Sequence, residues 1–220
     1  MTTRGFRTVT CSRCGTANRL AVITSTNQVG APDLDVRPPP MLRNTIDCWI
    51  QDCTACGYVS SDIGAAENGI DAVLASDAYR ALVSMGGPGS ARLTSAFRRR
   101  AMIDTAKGER DGAGDKCLFA AWVADDAGDP GTAAACRREA AAHMIAHLAA
   151  TTEAPVEYRL RLVDVLRRAG DFPAATDHAD RAAAACDGDA LLGAIIAFQK
   201  KLIAARDTGR HTVEDVHEGK

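Results

Sequence analysis

Apolar residues fall at two different periods along the chain. Up to residue 63 they come in short β-branched or aromatic runs: Phe6 to Thr10, Arg19 to Ser25 and Thr45 to Ile50 each read as a strand. Between the second and third lies Val29 to Met41, which carries Pro32, Pro38, Pro39 and Pro40. Proline has no amide donor for a sheet ladder, so this insertion is an extended loop. From Ala65 the spacing becomes helical. Ile70, Val73, Leu74 and Ala78 mark the buried face of a first helix, which ends at the breaker Gly86-Gly87-Pro88-Gly89. Ser90 caps the next helix, with Leu93, Phe97 and Ala101 on its face and Lys107-Gly108 at its close.

An internal repeat follows. Trp122-Val123-Ala124-Asp125-Asp126-Ala127-Gly128-Asp129-Pro130 is echoed by Asp164-Val165-Leu166-Arg167-Arg168-Ala169-Gly170-Asp171-Phe172, with the two glycines about 42 residues apart. Each copy reads helix, Ala-Gly-Asp turn, helix. The second helices, Ala133 to Ala142 and Ala174 to Ala185, are alanine-rich, as close packing on the first helix requires. Ala190 to Arg206 is a last, capping helix, and Thr208 to Lys220 is a polar tail expected to fray. The fold class expected is mainly α with a small β metal-binding module: residues 1–63, an α-helical domain over 64–207, and the tail 208–220.

Composition adds little to this division. The chain of 220 residues is 46% hydrophobic and 25% charged with a net charge of −2, which gives no electrostatic case for a nucleic-acid or membrane partner. No apolar run is long enough to span a bilayer, and Met1 to Thr10 lacks the apolar core of an export signal. A cytoplasmic setting is therefore expected, where the eight cysteines stay reduced.

Four of those cysteines change the picture. Cys11-Ser12-Arg13-Cys14-Gly15 and Cys53-Thr54-Ala55-Cys56-Gly57 each place two thiols two residues apart with a glycine behind them. A tight turn brings both sulfurs of such a pair to one side, and two pairs complete a tetrahedral shell. Gly15 and Gly57 suit the positive φ of that turn. Cys11, Cys14, Cys53 and Cys56 are therefore the expected ligands of one structural zinc, in a zinc ribbon with a long insertion. A redox pair needs the start of a helix in a βαβ unit, and disulfides need an oxidising compartment, so both fit less well. Spacing alone does not separate zinc from iron. A closed four-sulfur shell leaves no position for substrate, which argues against catalysis.

Other constellations carry less. His143 and His147 stand one helical turn apart, but Met144 occupies the place where a metalloprotease needs Glu, so an ordinary exposed pair is expected. Cys48 reads as a half-buried strand cysteine and Trp49 as packing onto the helices, while Cys117, Cys136 and Cys186 read as small buried side chains. Arg98-Arg99-Arg100, with Arg92, reads as a solvated face. Six arginines oppose five aspartates in the first 63 residues, and four thiolates around zinc add negative charge, so the ribbon is poor for phosphate contacts. No P-loop, nucleophile elbow or dinucleotide fingerprint is present.

The turn Ala169-Gly170-Asp171-Phe172-Pro173-Ala174-Ala175, with Ala182 seven residues after Ala175, resembles the tetratricopeptide repeat; Ala133 and Ala140 fit the same places in the first copy. The whole layout, including Trp49-Ile50-Gln51-Asp52-Cys53-Thr54-Ala55-Cys56-Gly57-Tyr58 and Ala121 to Asp126, resembles a bacterial family of unknown function. That family joins an N-terminal four-cysteine zinc ribbon to tetratricopeptide-repeat-like helices. The resemblance implies a groove for a protein or peptide partner, lined by Leu118, Trp122, Asp125 and Asp126 from the first copy and by Glu157, Leu160, Asp164, Arg167 and Arg168 from the second. The expected function is that of a zinc-binding adaptor without catalytic activity. A nucleic-acid-binding ribbon and a thiol redox or metal-transfer protein are the alternatives.

Overall fold

The computed structural model describes residues 2–152 and 154–218. Thr3–Thr10 (β1) and Ala17–Ser25 (β2) pair antiparallel, with Thr10 opposite Ala17, so the first cysteine pair forms the hairpin turn. A second, shorter ladder joins Gln51–Asp52 (β3) to Val59–Ser60 (β4) around the second pair. Both ladders are two-stranded, and β1 leaves Phe6 61% exposed beneath the guanidinium of Arg19. Such small sheets bury too little to stand alone, so their stability has to come from the cysteine cluster and from the helices.

Thr45 to Ile50 is not the expected strand. It belongs to a 3-10 helix, Arg43–Cys48, in which Thr45 Oγ1 donates to Leu42 O (2.7 Å) and accepts from Trp49 Nε1 (2.9 Å). These local bonds compete with a ladder and win. Trp49 then packs as anticipated, edge-on to Phe119 (5.2 Å) and to Trp122 (6.5 Å).

The first helical stretch is also divided. Asp71–Leu74 (α1) ends where Ser76 caps Asp77–Met85 (α2) by accepting from Tyr79 N. Ile70 is fully buried, but Ala78 lies on an exposed face, outside the buried stripe expected of it. The longer helices Ser90–Ala106 (α3), Arg110–Asp126 (α4), Pro130–Ala150 (α5), Val156–Arg168 (α6), Phe172–Ala185 (α7) and Ala190–Ala204 (α8) follow, and Asp215–Glu218 (α9) closes the described chain. Consecutive helices from α3 to α8 pack on one another as hairpins.

The repeat is a repeat of turns. At Gly128 (φ 70°) and Gly170 (φ 82°) the chain enters the left-handed region, and the next amide reaches back five residues: Asp129 N to Ala124 O and Asp171 N to Leu166 O, both at 2.9 Å. This closes one helix, and the same aspartate opens the next, Asp129 capping Thr132 N and Asp171 capping Ala174 N. Lys107-Gly108-Glu109 and Ala205-Arg206-Asp207 repeat the closing bonds without the Ala-Gly-Asp signature.

One core unites ribbon and helices. It runs from Cys11, Cys53, Tyr58 and Ile63 through Phe97, Leu118 and Trp122 to Leu166, Ala175 and Ile203. Of the helical cysteines, Cys117 and Cys136 are buried as expected, whereas Cys186 lies half-exposed at the end of α7.

Arg98, Arg99 and Arg100 are not a solvated face. Arg98 makes a two-pronged pair with Glu139 of α5 (3.0 and 2.6 Å). Arg99, 2% exposed, binds Asp52 (2.9 Å) and the carbonyl of Gly57, so it ties the second cysteine turn to α3. Arg100 meets Glu67 (2.5 Å) and Asp104 (2.7 Å). Successive helix positions do point in different directions, but each direction here meets a carboxylate.

Glu67 joins the modules a second time, since it also accepts from Tyr58 and Ser60 of the ribbon. Desolvation opposes its charge, but hydrogen bonds from Arg100, Ser60 and Tyr58 prevail and hold its carboxyl down at about 2. A folded value below the unfolded one means that this charge stabilises the fold above the ordinary carboxylate range. That contribution is lost as pH falls from about 4.5 towards 2. Glu67→Gln is therefore expected to flatten the acid limb of the stability-against-pH curve in that window. Denaturant melts at a series of pH values check this; an acid limb as steep as the parent's in the variant would refute it.

Candidate metal centre and the helical face beside it

The structure brings Cys11, Cys14, Cys53 and Cys56 together, with all four Sγ atoms within 4.8 Å of one another. Cys11 and Cys56 are 3.8 Å apart and Cys14 and Cys53 are 3.6 Å apart, and none is in a disulfide. A tetrahedral shell with metal–sulfur bonds of about 2.3 Å has edges of about 3.8 Å, so the donor set fits a zinc-sized ion. Alternate ligands differ in burial: Cys11 and Cys53 lie inside, Cys14 and Cys56 at the surface.

The two turns are near copies. Gly15 N donates to Cys11 O and Gly57 N to Cys53 O, each at 2.9 Å, with both glycines at φ 73°. Cys11 N and Cys53 N donate across the hairpins to Thr16 O and Tyr58 O, again at 2.9 Å. Glycine is required on more than conformational grounds at Gly57, where a β-carbon would lie 2.8 Å from Val83. Outside the ligands, Asn18 donates to Cys53 Sγ (3.5 Å) and accepts from Thr54 N (3.0 Å), holding the second turn against the first hairpin. Hydrogen bonding by Thr16 draws the Cys14 thiol down to about 6, whereas burial pushes Cys56 up to about 12. A metal held by this cluster would take all four sulfurs as thiolates.

The residues expected to line a groove are accounted for differently. Leu118, Trp122, Leu160, Asp164, Arg167 and Arg168 are buried, Asp125 is half-buried, and only Asp126 and Glu157 are exposed. Residues 33–37 of the Pro-rich insertion lie over Trp122, Asp126 and Arg168 as a strap. Trp122 Nε1 donates to Asp35 (2.8 Å), and Arg168 bridges Asp35 (3.0 Å) and Asp125 (2.8 Å). Arg137 of α5 pairs with Asp125 (3.0 and 2.5 Å), and Arg37 pairs with Asp126. Arg167 turns aside, to Asp164 (2.7 Å) and the carbonyl of Gly209 (2.9 Å). The tail is thus part of the assembly: Leu34 N donates to His211 O, Val213 N donates to Pro32 O, and Val216 packs with Leu34 and Leu202.

Asp33, Asp35, Arg37 and Arg137 were not singled out by the sequence. The available signal was the charge cluster Asp33, Asp35 and Arg37, which the structure folds into a turn: Val36 N donates to Asp33 O and Asp33 N to Arg37 O, both at 2.9 Å. Val36 between them has φ 60°, a strained value for a β-branched residue, and lies half-exposed at the tip. Arg37, Arg137 and Arg168 each keep an Nε without a partner among the described residues. Of the histidines, His147 stacks on Tyr158 (5.1 Å), His143 is half-buried, and neither joins a cluster of three or more possible metal ligands among the described residues. Among the described residues no helix is long and apolar enough to cross a membrane. No family model, no curated protein and no solved structure matches this chain.

Proposed function

We propose that this chain is a zinc-stabilised adaptor, without catalytic activity, whose helical face takes an acidic segment of a partner protein and is held by the chain's own strap until then. The observation that carries this is the seating of Asp35: one carboxylate received by Trp122 and Arg168, two of the residues that a tetratricopeptide-like reading assigns to a peptide groove. The strain at Val36 and the unpartnered guanidinium nitrogens support a fit that another segment can improve on. Zinc held by Cys11, Cys14, Cys53 and Cys56 would cross-link the two hairpins and so fix the strap's point of departure. Four thiolates suit zinc and leave it no open position for chemistry.

The arginines of the ribbon favour this over nucleic acid. Arg4 pairs with Asp47, Arg13 with Asp71, Arg37 with Asp126 and Arg43 with Asp33, so few remain for phosphates.

Gln28 and Met41 face each other across an antiparallel bridge, so the strap can be removed and the ends rejoined by a Gly-Gly turn. The shortened chain is expected to bind a labelled peptide of residues 30–40 with micromolar affinity. The peptide carrying Asp35→Asn is expected to bind at least about tenfold more weakly, in line with the loss of a charged hydrogen bond. Fluorescence anisotropy reads both. Equal binding of the two peptides, or none by a shortened chain whose helical circular dichroism is intact, would overturn the reading.

A further inference from the structure

Among the described residues, α2 carries an apolar stripe that its neighbours cover only in part, with Leu82 half-buried and Ala78, Ala81 and Met85 exposed. Ala78, Ala81, Leu82 and Met85 fall at helical spacing along one face, and Met85 is 70% exposed. A helix with such a stripe normally buries it. Here the opposite face of α2 does the holding: Tyr79 donates from its hydroxyl to Gly57 O (2.9 Å), and Val83 lies against Gly57. The stripe instead lines an open cleft of about 740 Å³, whose other walls come from α1, α3 and α5 with Cys117 of α4. A second cavity of about 390 Å³ shares Leu82, Met85 and Arg98 with the first. Both lie within the size range of small-molecule pockets, roughly 300–1,000 Å³.

The polar groups that reach the larger cavity are few and their charges cancel. Arg98 and Glu139 occupy each other through two hydrogen bonds. Cys117 has its Sγ 3.9 Å from Glu139, and burial drives its thiol far up, so it is neutral. His143, one turn beyond Glu139 on α5, is also lowered by burial and so is a neutral donor or acceptor near pH 7. Thr105 spends its hydroxyl proton on Ala101 O (2.7 Å) and keeps its acceptor capacity. A fixed charge on a ligand seated here would find no uncancelled partner, unless it broke the Arg98–Glu139 pair. Met85 and Met102 give the walls an adaptable, polarisable surface.

We infer that this cavity is a binding site for an uncharged, largely apolar small molecule bearing a single hydrogen-bonding group, which His143 or Thr105 meets. The site is independent of the adaptor reading, since it shares no residue with the strap face.

The test compares two probes on one ring scaffold. Neutral N-phenylnaphthylamine is expected to bind the whole chain at one site, with blue-shifted, enhanced emission. Anilinonaphthalene sulfonate, the same scaffold with a fixed negative charge, is expected to bind at least about tenfold more weakly. Ala81→Trp places an indole into the cavity from an exposed helix position and is expected to abolish the signal, while circular dichroism stays unchanged. Ala78→Trp, one turn away, repeats the test should the first variant fail to fold. Equal affinity for the two probes would overturn the inference. So would a neutral-probe signal that survives both substitutions, or one that vanishes on dilution together with a dimer seen by sedimentation.

Discussion

Removing the metal with a chelator under reducing conditions is expected to unfold the ribbon and release its thiols in a fixed order. Before chelation, only the partly exposed Cys48 and Cys186 should react with a thiol reagent, because the proposed zinc would engage Cys11, Cys14, Cys53 and Cys56, and Cys117 and Cys136 are buried. Chelation should add the four ligands, and Cys117 and Cys136 should follow only in denaturant. The reason for a large effect is the size of the sheets. Two two-stranded ladders, one of them only two residues long on each side, cannot repay their own ordering entropy. Metal ligation in such modules supplies folding free energy on the order of 10 kcal/mol. Cys53→Ser, at a ligand 1% exposed, should act like chelation, whereas Cys48→Ser should be close to silent. Loss of the ribbon should also be felt in the helices, since Arg99, Tyr79 and Glu67 all lose partners on it. Thiol counting and thermal melts with and without chelator check the order. Ligand thiols that stay protected after the metal has gone would refute it.

The cysteine cluster was legible in the sequence because its determinants are local. Each turn needs two thiols at fixed spacing and a glycine with positive φ, and both Gly15 and Gly57 have it. The same holds for the Ala-Gly-Asp turns, where one glycine and one capping aspartate decide where a helix stops and the next starts. What the sequence concealed depends on partners far along the chain. Arg99 could be assigned to solvent only while Asp52, forty-seven residues away, was out of view. Thr45 and Trp49 suit a strand by propensity, yet a side-chain bond between them favours a helical turn. The proline-rich stretch is a loop, as its composition requires, but residues 33–37 close a turn instead of running extended, and prolines cannot say what a loop lies upon. That information was carried by Asp33, Asp35 and Arg37, whose charges have meaning only opposite Arg43, Trp122, Arg168 and Asp126.

The burial of that strap makes Asp35→Ala the point substitution with the largest expected cost outside the metal ligands. Three carboxylates, Asp35, Asp125 and Asp126, and three guanidiniums, Arg37, Arg137 and Arg168, form one network, with Asp35 wholly excluded from solvent. As a whole such a network contributes little net stability, because desolvation offsets attraction. Removing one member is different. With Asp35 gone and the strap still seated, Arg168 loses one of its two carboxylates and Trp122 Nε1 loses its acceptor, with no water to replace them. The expected loss is about 3–5 kcal/mol. The chain can limit it by lifting the strap and letting water in, which would break the bonds from Leu34 N to His211 O and from Val36 N to Asp33 O. Faster exchange of those two amides, with the helical amides still protected, is the signature expected of Asp35→Ala. Arg168→Met in the same background should recover part of the loss, because it removes the stranded charge; the coupling should exceed about 1 kcal/mol. Denaturant melts of the two single variants and the double variant measure it. An Asp35→Ala chain within about 0.5 kcal/mol of the parent would mean that the strap is not held by its charge, and the peptide-exchange reading of the same contact would fall with it.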